Sequence, residues 1–529
     1  MSFGSEAIRL LQQYDVDTIF GIPGVHTIEY YRGVQETGIR SVVARHEQGA
    51  GFMADAYSRI ANKPGVCILV SGPGVLNAVT PIAQAWHDSI PMLVLAASTE
   101  TSLRGRNRGP LHDIPDQALL LKQLTNQSIT VTNPDEFPSI LARVYHTWAT
   151  QRSRPVHISI PTDLLTKDVS KFKKLEMDVT LLRPSESQIK EFSILVAASE
   201  KPIIVVGGGA LGAVDAIRSL AEKLSAVIIN TGNARGILPS AHPLSAGTIL
   251  PFQGARNLIA ESDLVIAIGT EFSEVDYIYT GKTLPITNNL VRVDIDSTQL
   301  NSGYPATLAI LSDAREFAIA VAHTSSKANF EERRSATTQA QTEVQWTAQS
   351  ISHFPWIDAI SSSIPGDTIV SIDSTQLAYT AHHYMPWSDA GTWLAPYGLG
   401  TLGPALPMGI GAKVAAPERP ILVLAGDGGS LFTISEMATA FDVGGAIVII
   451  IWDNAGYGEI RDSFDRASAV RTGVDIRTYD LVMIANGFGM KSSRVFTPDQ
   501  LASALVKAFN AKVPTVIVVT EPGSPADVK

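Results

Sequence analysis

Short apolar runs recur along the whole chain, among them "GVCILVSGPG", "IPMLVLAAS", "KPIIVVGGG", "DLVIAIG", "PILVLAGDGG", "AIVIIIW" and "TVIVVT", and amphipathic stretches at helical spacing fall between them. Runs of that length bounded by glycine and proline read as strands buried on both faces, and the stretches between them as crossover helices. The pattern predicts an α/β chain of parallel sheets covered by helices. Two polar stretches interrupt it, "TKDVSKFKKLEMDVTLLRPSESQ" and "TSSKANFEERRSATTQAQTE". Read as linkers, they divide the 529 residues into three doubly wound parallel-sheet domains, residues 1–165, 186–323 and 345–529. A chain of this length holds roughly three ordinary cores.

Composition narrows the partners. A formal net charge of -10 argues against nucleic acid and against an anionic membrane surface, which leaves small molecules as the expected ligands. The one cysteine, Cys67, lies in an apolar run, so no intrachain disulfide forms and a reducing, cytoplasmic setting is expected. The first stretch, "MSFGSEAIRLLQQYDVDTIFGIPG", carries charged residues where a signal peptide has its apolar centre. The longest apolar runs are strand length and too short to span a bilayer.

Three places carry chemistry. In "RHEQGAGFMADAYSR" a carboxylate, Glu47, stands where a strand runs into a helix. It is either a first-turn acid favoured by the helix dipole or a ligand-facing group at a strand end. In "PILVLAGDGGSLFTISEMATAF" and "AIVIIIWDNAGYG", consecutive strand ends present Asp427 and Asn454. A hard cation such as Mg²⁺ takes oxygen ligands of this kind and leaves positions for phosphate oxygens. Gly426, Gly428 and Gly429 permit close backbone approach, and a helix start near Ser430 suits an anion. The third place is "KPIIVVGGGALG", whose Gly207, Gly209 and Gly212 have dinucleotide-loop spacing. The next strand, "AVIIN", ends in Asn230 where a ribose-binding acid is expected. A flavin- or nicotinamide-dependent oxidoreductase is therefore carried as an alternative.

With these motifs the whole chain resembles the thiamine diphosphate enzymes of the acetolactate synthase, benzoylformate decarboxylase and pyruvate decarboxylase family. The resemblance implies that Asp427 and Asn454 bind Mg²⁺ through their side chains and Gly456 through its carbonyl. Asp453 stands where the family has a first asparagine. It further implies that Thr375 and Gln376, in "DSTQLAY", contact the diphosphate. In "YGLGTLGPALP", Leu402 would wedge under the bent cofactor and the Gly400 carbonyl would accept from its aminopyrimidine. Glu47 would face the pyrimidine as a protonated carboxyl and favour the tautomer that accepts the thiazolium proton, and Phe52 and the preceding strand would keep it protonated by desolvation. Asn77 would contact the same ring or hold its own loop by an Asx turn. The two halves of each site come from different subunits in this family, which implies a homodimer or homotetramer. Acetolactate synthases hold FAD in the central domain, so FAD is a possible further cofactor.

Substrate positions depart from the better known members. Val25 stands where pyruvate decarboxylases have an aspartate and benzoylformate decarboxylase a serine, and Val70 where the latter has a histidine. His26 is expected to donate a proton or to have no function. His112, in "RGPLHDIPDQ", is expected to shuttle protons or to play a structural part. Within the family the chain looks most like decarboxylases of 5-guanidino-2-oxopentanoate. Asp113, Asp116 and Gln117 on one loop, with Glu459 and Asp462 on a helix, are expected to face the reacting carbon, where a carboxylate would pair with a guanidinium tail. The same acids can also be solvated faces. The expected reaction is decarboxylation of a 2-oxo acid through an enamine. An acetolactate synthase-like carboligation to an acyloin uses the same intermediate.

Overall fold

A computed structural model describes residues 1–277, 283–476, 479–524 and 526–527. Three parallel six-stranded sheets organise it. The first holds β1 Thr18–Gly21, β2 Arg40–Val43, β3 Gly65–Leu69, β4 Met92–Ser98, β5 Gln127–Thr130 and β6 Val156–Pro161, in the order β2-β1-β3-β4-β6-β5. The central sheet holds β7 Pro202–Val206, β8 Val227–Asn230, β9 Ser245–Gly247, β10 Leu264–Ile268, β11 Asn289–Asp294 and β12 Leu308–Leu311, in the order β12-β11-β10-β7-β8-β9. The third holds β13 Ile369–Ile372, β14 Trp393–Leu394, β15 Ile421–Gly426, β16 Ile447–Asp453, β17 Lys491–Val495 and β18 Thr515–Thr520. Its order, β14-β13-β15-β16-β18-β17, repeats that of the first sheet.

Apolar runs such as β4, β15 and β16 are buried along their whole length, as strands covered by helices on both faces must be. The first and third sheets share one core. The helix Glu47–Ala61 packs its Met53 and Ala56 into the same cluster as Met408, Ile410 and Ala412 of the helix Ala405–Ala415. The central sheet has clusters of its own.

A buried arginine ties the three sheets' layers together. Arg59 reaches Asp55 at 2.6 Å, Asp88 at 2.8 Å and the Asn233 side chain of the central domain at 3.0 Å. Asp88 in turn accepts from the Gly398 backbone of the third domain at 3.1 Å. Among the described residues, no helix is long and apolar enough to cross a membrane.

Candidate active site

The first half-site lies beyond the ends of β1, β2 and β3. The chain leaves β2 and is fixed by Glu436, whose carboxylate accepts from the backbone N–H groups of Arg45 and His46 at 3.0 Å each. His46 caps the next helix through Gln48 N–H, which makes Glu47 its first residue. Glu47 is half-buried, and the Asn77 amide donates to its Oε2 at 2.9 Å. Phe52 belongs to the shared core, and the group found on the carboxylate is a polar amide from the end of the short helix Pro73–Asn77.

His26 shares a hydrogen bond of 2.7 Å between its Nδ1 and the Ser71 hydroxyl, and its ring meets that of His112 edge-on at 5.0 Å. Burial, and then the neighbouring His112, hold His26 below the ordinary imidazole range. His112 has a left-handed backbone, φ 61°, and a buried Nδ1 without a hydrogen-bond partner. Such strain in a non-glycine residue collects at functional sites. Val25 is exposed on the adjoining turn.

Gln117 is engaged by hydrogen bonds within its own domain. It is buried, its Oε1 accepts from Gly72 N–H at 3.1 Å, and its Nε2 donates to the Ala97 carbonyl at 3.0 Å. Asp116 is likewise committed, capping the helix Gln117–Leu121 through Leu119 N–H at 2.8 Å. Asp113 is half-buried beside His112 and accepts from the Thr99 hydroxyl at 2.5 Å.

The second half-site sits on the third sheet. Gly426 of β15 is in register with Trp452 of β16, so Asp427 and Asp453 leave the sheet side by side. The helix start expected near Ser430 occurs at Asp427, which opens a single turn, Asp427–Ser430, containing Gly428 and Gly429. The Ser430 hydroxyl closes that turn by donating to the Asp427 carbonyl. Asp427 is buried, and its carboxyl is pushed up to about 7 by burial first and by Asp453 second. Its Oδ2 accepts from Gly456 N–H at 2.9 Å, while Asp453 pairs with Arg494 at 2.9 Å. Gly456 has φ 150° and pairs with Asp475, a conformation that favours glycine.

Asn454 is buried between Gln376 and Arg461. Gln376, expected on the diphosphate, instead bridges Asn454 to Asp462, its Nε2 donating to the Asp462 Oδ2 at 2.6 Å. The Asp462 carboxylate is therefore engaged by Gln376 and, through it, linked to Asn454. Thr375 stands at the start of the helix Gln376–Tyr384, against Gly426. The Gly400 carbonyl accepts from the Ser374 hydroxyl at 3.4 Å, and Leu402 is half-buried on the same loop. Glu459, half-buried, pairs with the more exposed Arg466 of its own helix at 2.7 Å. Its carboxylate therefore already has a cationic partner where the tail of a substrate was expected.

One residue escaped the sequence reading. Asp373, buried at the end of β13, accepts from Gly403 N–H at 3.0 and 3.1 Å and so anchors the loop of Gly400 and Leu402. Burial pushes its carboxyl up to about 7. A lone acid closing an apolar strand was its only signal.

Among the described residues, no hydrogen bond or ion pair joins Glu47, Asn77, His26 or His112 to Asp427, Asn454 or Gln376. The donors of the second half-site nevertheless fit a hard cation. Asp427 and Asp453 are buried at neighbouring strand ends, with Arg494 paired to Asp453, and a carboxylate, an amide oxygen and a backbone carbonyl are the oxygen set such an ion takes.

The glycines of the central domain pack against a neighbouring strand end. Gly207 and Gly209 direct their N–H groups at the carbonyls of Ile268 and Gly269, at 2.9 and 3.1 Å. The cavity beside them, ≈ 470 Å³, is walled by Asp88, Glu271, Asp276 and Asp294 and also by Arg59 and Arg152, which pair with the first, second and fourth of these acids.

Comparison with known proteins gives the class. A thiamine pyrophosphate enzyme N-terminal TPP binding domain matches residues 1–120, the central domain of the same enzymes matches 189–321, and their C-terminal TPP binding domain matches 373–519. The chain belongs to the thiamine pyrophosphate enzyme family. It is 38% identical to a Pseudomonas aeruginosa protein named probable 2-ketoarginine decarboxylase AruI, over 98% of this chain and 93% of that one. It is 30% identical to the Escherichia coli acetolactate synthase isozyme 1 large subunit, over 97% and 92% of the two chains. A probable acetolactate synthase large subunit of Methanocaldococcus jannaschii is 29% identical over 98% and 92%. None of these descriptions is that of an oxidoreductase.

Proposed function

We propose that this chain is a thiamine diphosphate- and Mg²⁺-dependent decarboxylase of a 2-oxo acid with a guanidino tail, acting in the cytoplasm. The observation that carries the reading is the second half-site, where Asp427 and Asn454 stand on adjacent strand ends of a TPP binding domain. The relative named a probable 2-ketoarginine decarboxylase supports the substrate class. Thiamine diphosphate, when bound, would supply a carbon nucleophile and, in its cationic ring, the electron sink for loss of CO₂.

The chain's own residues do the rest. Asp427, Asn454 and the Gly456 carbonyl hold Mg²⁺. The turn of Gly426, Gly428, Gly429 and Ser430, with Thr375 opposite, receives the diphosphate. Leu402 and the Gly400 carbonyl orient the ring end. Glu47 hydrogen-bonds the pyrimidine, and Asn77 fixes the direction of its carboxyl. His26 and His112 exchange a proton with the reacting carbon or oxygen, with Ser71 setting the tautomer of His26. Asp113, which pairs with no cation among the described residues, receives the guanidinium. The half-sites belong to different copies, so the active form is a homodimer or a pair of such dimers.

Release of CO₂ from a panel of 2-oxo acids, with product analysis, tests this reading. Preference for 5-guanidino-2-oxopentanoate supports it. Acyloin formation from pyruvate would instead support the carboligase reading, which the similarity to acetolactate synthases favours.

A further inference from the structure

We propose that Asp462 and Arg461 are positioning residues that fix the side-chain amide of Asn454 so that its oxygen, not its nitrogen, faces the metal position. The inference rests on the reading of Asp427 and Asn454 as metal ligands. An asparagine amide has one end that accepts and one that donates, and only the accepting end binds a cation. Its orientation therefore decides whether the site works, and it follows from the neighbours' hydrogen bonds.

Those neighbours form a chain with a charged group at either end. At one end, the Asp462 carboxylate can only accept, and it holds Gln376 Nε2 at 2.6 Å. That leaves Gln376 Oε1 to face Asn454, where it accepts from Nδ2 at 3.3 Å. At the other end, a guanidinium can only donate. Arg461 Nη2 donates to the Asn454 backbone carbonyl at 2.7 Å and to its Oδ1 at 3.3 Å. Arg461 Nη1 lies 3.5 Å from Asp475 Oδ1, and the Asp475 backbone pairs with Gly456.

Reversing the Asn454 amide would set two donors against each other at Arg461 and two acceptors at Gln376. Gln376, Asn454 and Arg461 are all buried, so water cannot repair the mismatch. Space for the arrangement is provided at Gly458. A Cβ there would lie 2.4 Å from Gln376 Oε1 and 2.5 Å from Asn454 Nδ2. The helix that supplies Arg461 and Asp462 can approach the amide pair only because it begins on a glycine.

Calorimetric titration of Mg²⁺ into the full-length protein with thiamine diphosphate present tests the proposal. Asp462→Asn, which lets Gln376 and Asn454 turn, should weaken Mg²⁺ affinity about tenfold or more, while KM for the 2-oxo acid at saturating Mg²⁺ stays unchanged. Arg461→Met, acting from the other end, should do the same. The double change Gln376→Glu with Asp462→Asn keeps the net charge and again presents only acceptors to Asn454. It should return the affinity to within about threefold of wild type. Wild-type Mg²⁺ affinity in Asp462→Asn, or a double variant no better than the single one, would overturn the proposal. So would a raised KM with unchanged Mg²⁺ affinity, which would assign Asp462 to the substrate. If Asp427→Ala also leaves Mg²⁺ affinity unchanged, it is the metal site itself that has been misassigned.

Discussion

Asn77 holds the carboxylate of Glu47 across 2.9 Å, and both ends of that bond are fixed from behind. Glu47 opens a helix whose approach is tied down by Glu436. Asn77 ends a short helix that follows Gly72, and the buried Gln117 fixes Gly72. Ser71, the partner of His26, lies on the same segment. One small loop thus orients two of the groups assigned to the first half-site.

Glu47→Gln should lower kcat by about a hundredfold or more, because the carboxyl proton is lost as an acid-base partner. Thiamine diphosphate binding, measured by titration of apoenzyme, should change little. Asn77→Ala should act in the same direction and more weakly, since it frees the carboxyl without removing it. Near-normal turnover in Glu47→Gln would remove this residue from the mechanism.

The pH profile tests the histidine pair. His26 is held below the ordinary imidazole value of about 6.5, so its neutral form persists as pH falls and the acid limb of kcat/KM should lie below that value. His112 is the second cause of the shift, and His112→Ala removes it. The acid limb should then move to higher pH, toward the ordinary value. The linked stability term has the same sign. It is present above the unfolded imidazole's range and is lost as pH falls through the folded one.

Two acids expected to recognise the substrate tail part company in the structure. Glu459 is occupied by Arg466 on an exposed helix face, whereas Asp113 accepts only from a neutral hydroxyl. Asp113→Asn should raise KM for a guanidino 2-oxo acid about tenfold or more and leave an uncharged keto acid unaffected, while Glu459→Gln should alter neither. Steady-state kinetics on both substrates with both variants decides it.

Arg59 is the counter-ion of two buried carboxylates, Asp55 and Asp88. Arg59→Met would leave them uncompensated and should cost about 3–5 kcal/mol, read by denaturant unfolding. Activity at low temperature should survive, because no catalytic group is touched.

Much of this was legible in the chain. Apolar runs ending in "GDGG" and "WDN" placed Asp427 and Asn454 on neighbouring strand ends, because a parallel sheet covered by helices writes its strands as unbroken hydrophobic runs. Glu47 could be placed at a helix start for the same reason. The partners that other residues take were not legible, for one shared cause. Glu459, Asp462, Gln117 and Gln376 are polar residues whose roles depend on which side chain lies across from them, and local pattern holds no record of that. Gln376 meets Asp462 across 86 positions and Asp373 meets Gly403 across 30. The central glycines were ambiguous for a related reason, since spacing that suits a pyrophosphate also suits close packing against the carbonyls of Ile268 and Gly269.

The central claim is that Glu47 of one copy and Asp427 of another complete a single decarboxylation site. Co-expression of Glu47→Gln with Asp427→Ala, followed by assay of CO₂ release from 5-guanidino-2-oxopentanoate with thiamine diphosphate and Mg²⁺, tests it most directly. Each variant alone should be nearly inactive. In a mixed dimer one site carries both changes and the other neither, so random pairing should restore about a quarter of wild-type activity. No recovery in the mixture, with the mixed dimers shown to form, or no turnover of this substrate by the wild-type enzyme, would contradict the account.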